Sequence, residues 1–63
     1  MSRGWLKEIR LRNKKTMREV ADFVLISESY YSMIESGQRD LSPGIAKKIA
    51  ELLQFDWTKF YED

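Results

Sequence analysis

Seven of the eleven lysines and arginines fall within the first twenty residues: Arg3, Lys7, Arg10, Arg12, Lys14, Lys15 and Arg18. Glu8 and Glu19 oppose them there, leaving +5, whereas residues 21–63 hold four basic and eight acidic side chains, leaving −4. The net charge of +1 hides this asymmetry. A basic third of a small chain is a candidate surface for phosphate, set against the plainer reading of a solvated helix face. Bond-making chemistry is poorly provided for. There is no histidine and no cysteine, which removes the commonest general base, the commonest metal ligand and any thiolate. Serines and carboxylates remain, but they fall at capping or exposed positions with no reason to pair in a pocket. Neither an enzyme, nor a metal site, nor a cofactor is expected.

The elements that must carry the basic third are helices. Thr16 with Glu19 three places on is a capping box, a reciprocal seal for the donors of a helix start. Val20, Ala21 and Val24 then recur at helical spacing. Ser27 opens a second helix, Tyr31 and Ile34 give it one apolar face, and Gly37 closes it. Helix 2 is predicted over Met17 to Val24 and helix 3 over Glu28 to Ser36. Two capped helices of about two turns, joined by three residues, form a helix-turn-helix, a motif that sets its second helix in a DNA major groove.

The rest of the chain reads as helix too. Helix 1 is expected from Ser2 to Arg12, with Leu6 and Ile9 inward and Trp5 at the edge. Asn13 or Lys14 should take the left-handed conformation at its end. Ile26 precedes the Ser27 cap and can pack on Tyr31 as a hydrophobic staple. Ser42 caps helix 4, with Pro43 at its first position, where a missing donor costs nothing. Asp56 caps a last short helix. The expected core is Leu6, Ile9, Val20, Val24, Tyr31, Ile34, Ile45, Ile49, Leu52, Leu53, Phe55, Trp57 and Phe60. The whole chain, residues 1–63, is expected to be one all-α domain of five short helices. A domain of this size has a marginal core. No apolar run approaches the roughly 20 residues a membrane span needs. The start, Met1-Ser2-Arg3-Gly4, has no apolar stretch of the signal-peptide kind, so the expected location is the cytoplasm.

Several motifs stand in a fixed order: Leu6-Lys7-Glu8-Ile9-Arg10, then Thr16-x-x-Glu19-Val20-Ala21, then Ile26-Ser27. Ser32-Met33-Ile34-Glu35-Ser36-Gly37, Ala46-Lys47-Lys48-Ile49-Ala50 and Phe55-Asp56-Trp57-Thr58-Lys59-Phe60 follow. In this order and spacing the chain resembles the Xre family of bacterial and phage regulators, which includes the lambda- and 434-type repressors and Cro proteins. The resemblance covers nearly everything from Leu6 to Phe60. It implies a lambda-repressor-like DNA-binding domain that acts as a dimer on double-stranded DNA.

Residue by residue, the resemblance implies that Glu28, Ser29, Ser32 and Met33 face base edges. Ser27 caps the reading helix where a hydroxyl and a helix amino terminus meet phosphate. Thr16 and Met17 start helix 2, which grips a phosphate through backbone N–H groups; apart from the resemblance, Arg18 clusters there with Lys14 and Lys15 and is either a phosphate anchor or ordinary surface charge. Gln38 and Arg39, after helix 3, meet the opposite backbone. Arg10 and Glu35 match a salt bridge that joins helices 1 and 3. Three positions depart from the family pattern. Met17 stands where glutamine is common, so a side-chain phosphate contact is lost. Leu25 stands where glycine is usual in the turn, and a left-handed leucine costs roughly 1–2 kcal/mol, so the turn is either strained or differently shaped. Glu28 puts a carboxylate where neutral or basic groups are usual, although it can accept from cytosine.

Adjacent tyrosines on a helix point about 100 degrees apart. Tyr31 shares a face with Ile34 and belongs to the core. Tyr30 lies nearer the outer face, where its hydroxyl either reaches a phosphate or packs. Met33 either packs on a thymine methyl or is merely exposed. Trp57, Phe60 and Tyr61 either close the core or form a patch that pairs two copies. The function expected from all this is sequence-specific regulation of transcription, as a repressor reading a palindromic operator with helix 3. The homodimer is expected to be weak or formed on DNA, and regulation to come from concentration or a regulatory protein partner. The alternative is a protein-interaction module of the same fold, an antirepressor or antitoxin-like partner, which Glu28, Met17 and the low net charge favour.

Overall fold

Polar side-chain caps set where every helix after the first begins. In the computed structural model, which describes residues 2–62, four α-helices and a terminal 3-10 helix follow one another. Met1 and Asp63, the ends of the expected domain, lie outside the described residues. The helices are α1 (Gly4–Arg12), α2 (Met17–Val24), α3 (Glu28–Ser36) and α4 (Pro43–Leu53), and no strand occurs among the described residues. The spans of α2 and α3 are those the caps and periodicity predict. Thr16 Oγ1 accepts from the Glu19 amide at 3.0 Å while Glu19 Oε1 accepts from the Thr16 amide at 2.8 Å, which completes the capping box. Ser27 Oγ accepts from the Tyr30 amide at 3.0 Å, and Ser42 Oγ accepts from the Ile45 amide at 3.2 Å. Each bond satisfies an orphan donor of a helix start.

One start differs from expectation. The first helix starts at Gly4 rather than Ser2, because Arg3 is non-helical (φ −99°, ψ 60°), its amide donating to the Glu35 carbonyl at 2.8 Å. The expected last short helix, capped by Asp56, is a 3-10 helix, Trp57–Tyr61. Asp56 Oδ1 accepts from both the amide and the hydroxyl of Thr58, at 3.0 and 2.8 Å, and this tight cap favours the narrower helix common in short terminal pieces.

The joints rely on left-handed residues. Leu25 (φ 64°), Gly37 (φ 83°) and Gln54 (φ 62°) cap the ends of α2, α3 and α4, and Lys14 (φ 56°) follows the Asn13 cap of α1. Leu25 therefore adopts the conformation that glycine takes most easily, and its side chain is 83% exposed, so no packing repays the strain.

The core gathers Leu6, Val20, Val24, Tyr31, Ile34, Ile49, Leu53 and Phe60, all buried as expected. Ile9, Ile45, Leu52, Phe55 and Trp57 are only half-buried and pack against its edge. Their places in the interior are taken by Ala21, Leu41, Ala46 and Ala50. Small residues there let α4 lie against α2, since interhelical distance follows side-chain size. Trp5, Phe55 and Phe60 form an aromatic corner with ring centroids 5.2–5.5 Å apart. It seats the 3-10 helix on the start of α1. Among the described residues no helix is long and apolar enough to cross a membrane.

Candidate nucleic-acid interface

The outer side of α3 is what its inner side leaves over. Tyr31, Ile34 and Glu35 point inward and are buried. The helical period then turns Glu28, Ser29, Ser32 and Met33 the other way. Glu28 and Ser29 are exposed and Ser32 and Met33 half-buried. These four side chains line one shallow groove together with Met17 and Gln38. The surface thus holds two hydroxyls, one amide, one carboxylate and two thioethers, a mixture of donors, acceptors and apolar contacts. Base edges in a major groove present the complementary mixture.

The groove runs on into a cleft that shares Met17 and Ser32 and reaches Ser2, Gly4 and Lys7 at the start of α1. Lys7 is exposed. It was legible in the sequence only as one member of a basic segment, because nothing in its spacing says which way it faces.

The residues expected to meet phosphates flank this groove at two helix starts and in the loop after α3. Thr16, Arg18 and Ser27 are exposed at the starts of α2 and α3, while Met17 is half-buried against the core. Helix starts carry unsatisfied N–H groups and the positive end of the dipole. Thr16 and Ser27 already use their oxygens as caps. Gln38 and Arg39 are exposed in the loop after α3, with both amides donating to the Met33 carbonyl at 2.9 and 3.3 Å. Tyr30 is half-buried, and its hydroxyl donates to the Asp40 carbonyl at 3.0 Å, so its one proton is engaged within the protein.

Behind the groove, Arg10 and Glu35 form a buried ion pair. Arg10 Nε donates to Glu35 Oε2 at 2.6 Å and Nη2 to Oε1 at 3.3 Å. Nη1 donates to the Lys15 carbonyl at 2.9 Å. The pair holds α1, α3 and the entry to α2 at fixed angles. The bond to Glu35 raises the Arg10 guanidinium above its ordinary pKa, against the opposing effect of burial. Burial pushes the Tyr31 phenol upward, with Glu35 adding to the shift. The buried Tyr31 hydroxyl faces the Arg10–Glu35 pair but makes no well-formed hydrogen bond among the described residues. At the start of α2, the Thr16 amide holds the Glu19 carboxyl below its ordinary value.

Of Trp57, Phe60 and Tyr61, Phe60 lies inside while Trp57 and Tyr61 adjoin, with ring centroids 5.9 Å apart. Phe60 is buried, because its ring fills the corner between Trp5 and Phe55. Trp57 is half-buried under Lys47, whose Nζ lies 4.9 Å from the ring centroid. Tyr61 is exposed, and its hydroxyl donates to the Leu41 carbonyl at 3.3 Å.

Sequence comparison gives the chain's relatives. The family model described as helix-turn-helix, HTH_3, matches residues 6–60. The chain is also 51% identical over 63 residues to the uncharacterized HTH-type transcriptional regulator YqaF of Bacillus subtilis (strain 168), covering all of this chain and 83% of that protein. The match spans both capped helices, the turn between them and the helices that support them, so this chain belongs to the Xre-like helix-turn-helix family of DNA-binding transcriptional regulators.

Proposed function

We propose that this protein represses transcription by setting α3 in the major groove of a near-palindromic operator, two copies binding together. One observation carries the reading: Glu28, Ser29, Ser32, Met33, Met17 and Gln38 share a single groove on the outer side of the helix-turn-helix. The four α3 residues read bases. Backbone N–H groups at the starts of α2 and α3 take phosphates, with Thr16, Met17, Arg18 and Ser27 framing them and Gln38 and Arg39 meeting the opposite strand. Tyr30 joins only if its hydroxyl releases Asp40. Half-sites then lie about 34–36 Å apart, one helical turn. The paired copies meet through Tyr61 and the open side of Trp57, and the pairing is weak or formed on DNA. The protein works in the cytoplasm, where its own concentration or a protein partner sets occupancy.

Selection of bound duplexes from a random pool, followed by mobility shift over a salt series, tests this. A two-fold motif with half-sites one turn apart, and affinity that falls steeply with salt, is the expected result. A motif without symmetry removes the dimer. Absence of any duplex binding at low salt removes the DNA reading and leaves a protein partner as the occupant of the α3 groove.

A further inference from the structure

Arg3, which lies outside the helix-turn-helix, reaches the end of α3 with both its backbone and its side chain. Its amide donates to the Glu35 carbonyl at 2.8 Å. Its Nη1 donates to two carbonyls at once, Ile34 at 2.7 Å and Arg39 at 3.2 Å. Its Nη2 lies 3.9 Å from Asp40 Oδ1, and the guanidinium lies 5.9 Å from the centroid of the Phe60 ring. The Arg3 side chain is 16% exposed. It therefore spans the last turn of α3 and the loop that follows, and is itself largely withdrawn from solvent.

That loop is held at several points. The Gln38 and Arg39 amides donate to Met33, the Tyr30 hydroxyl takes the Asp40 carbonyl, and Arg3 takes the Arg39 carbonyl. The last carbonyls of a helix lack partners within it, and a cation suits that end of the dipole. The fork of a guanidinium places several donors in a fixed plane, which a point charge does not. With Arg3 turned inward, the cation presented outward from this loop is Arg39, whose side chain is exposed.

We propose that Arg3 is a positioning residue of the DNA interface: it fixes the Arg39 backbone against the end of α3 so that the Arg39 side chain meets a phosphate. The proposal rests on the DNA reading above. It assigns to Arg3 no contact with DNA of its own.

The test uses the full chain and the duplex that the wild-type protein selects from a random pool. Affinity is measured over a salt series for wild type, Arg3→Gln, Arg39→Gln and the double variant, at a temperature where thermal melts show each to be folded. Each single variant is expected to flatten the plot of log affinity against log salt by about 0.9, the equivalent of one phosphate contact. The double variant is expected to be no flatter than Arg39→Gln alone. A double variant that loses a further contact overturns the proposal, because Arg3 then touches phosphate directly. A lowered melting temperature with the wild-type salt slope also overturns it, leaving Arg3 a purely structural role. Should Arg3→Gln fail to fold, Arg3→Lys replaces it; its slope is expected between those of wild type and Arg39→Gln, and a wild-type slope overturns the proposal. Wild-type protein that binds no duplex removes the DNA reading and this proposal together, whereas wild-type binding with an unaltered slope in the Arg3 variants removes this proposal alone.

Discussion

Arg10 and Glu35 join α1 to α3 by two hydrogen bonds, 2.6 and 3.3 Å long, in a setting where neither side chain is more than 9% exposed. A third bond carries the same guanidinium to the Lys15 carbonyl, one residue before the α2 cap. One side chain thus ties together α1, α3 and the entry to α2. Arg10→Ala leaves the Glu35 carboxylate buried and unpaired, at a cost of about 3–5 kcal/mol. A domain this small is stable by only about 3–9 kcal/mol in total. The expected outcome is a large fall in melting temperature, with DNA binding lost in proportion to the unfolded fraction. A variant that kept its melting temperature while losing affinity would place Arg10 at the DNA instead.

Tyr31 faces that pair with its hydroxyl buried and no well-formed hydrogen bond to it among the described residues. A buried polar group left unmatched costs its desolvation, about 1–3 kcal/mol. Tyr31→Phe keeps the ring and removes the cost, so stability is expected to rise by up to about 1 kcal/mol once the small void is counted. Urea unfolding monitored by the two tryptophans measures it. A loss of more than about 1 kcal/mol would mean that the hydroxyl does bond the Arg10–Glu35 pair.

Leu25 holds φ 64° and ψ 43° at the tip of the turn, with 83% of its surface in solvent. Left-handed leucine costs roughly 1–2 kcal/mol, and glycine in its place would add about 0.5–1 kcal/mol of chain entropy to the unfolded state. Leu25→Gly is therefore expected to be neutral or stabilising by up to about 1 kcal/mol. Thermal melts decide the sign. A clear destabilisation would show that the leucine side chain packs in solution.

How far the sequence speaks for itself is visible at these same residues. The caps at Thr16, Ser27, Ser42 and Asp56 were legible because each is a local pattern of oxygen and amide within three residues. The periodicity of α2 and α3 was legible for the same reason. The shape of the turn at Leu25 was not, because the Ile26 amide bonding to the Ala21 carbonyl at 3.0 Å is what holds it, and propensity alone favours another residue. Ala46 and Ala50 escaped the core reading because small residues become core only when another helix lies close. The half-burial of Leu52 and Ile45 is the other side of that effect. Arg3 was legible only as charge, since its partners Ile34 and Arg39 are more than thirty positions away.

Acid should weaken the start of α2. The Glu19 carboxyl is held below its ordinary value chiefly by the Thr16 amide. A carboxyl lowered in the folded state contributes stability that is present above its unfolded pKa and lost as pH falls through the folded one. Protonation breaks the return half of the capping box, so stability is expected to fall as the medium passes below the ordinary carboxylate range. Glu19→Gln removes the titration at this site. Its melting temperature is expected to change less with pH than that of wild type, and equal pH dependence in the two proteins would refute the assignment.

On the proposed reading surface, Glu28 sets chemistry against electrostatics. The carboxylate stands exposed in the first turn of α3, where it suits the positive end of the helix dipole by about 0.3–1 kcal/mol. Brought to DNA, the same charge meets phosphates of like sign, yet it can accept a bond from the amino group of cytosine. Glu28→Gln separates the two effects. Affinity for random duplex is expected to rise, because repulsion is removed whatever the sequence. Discrimination at one base pair is expected to fall by about 1–3 kcal/mol if the carboxylate reads cytosine there. Repeating the duplex selection with the variant reads both quantities together. Unchanged affinity for random duplex and an unchanged motif would mean that Glu28 stays clear of the groove, and would shift the reading to Ser29, Ser32 and Met33, which share its surface.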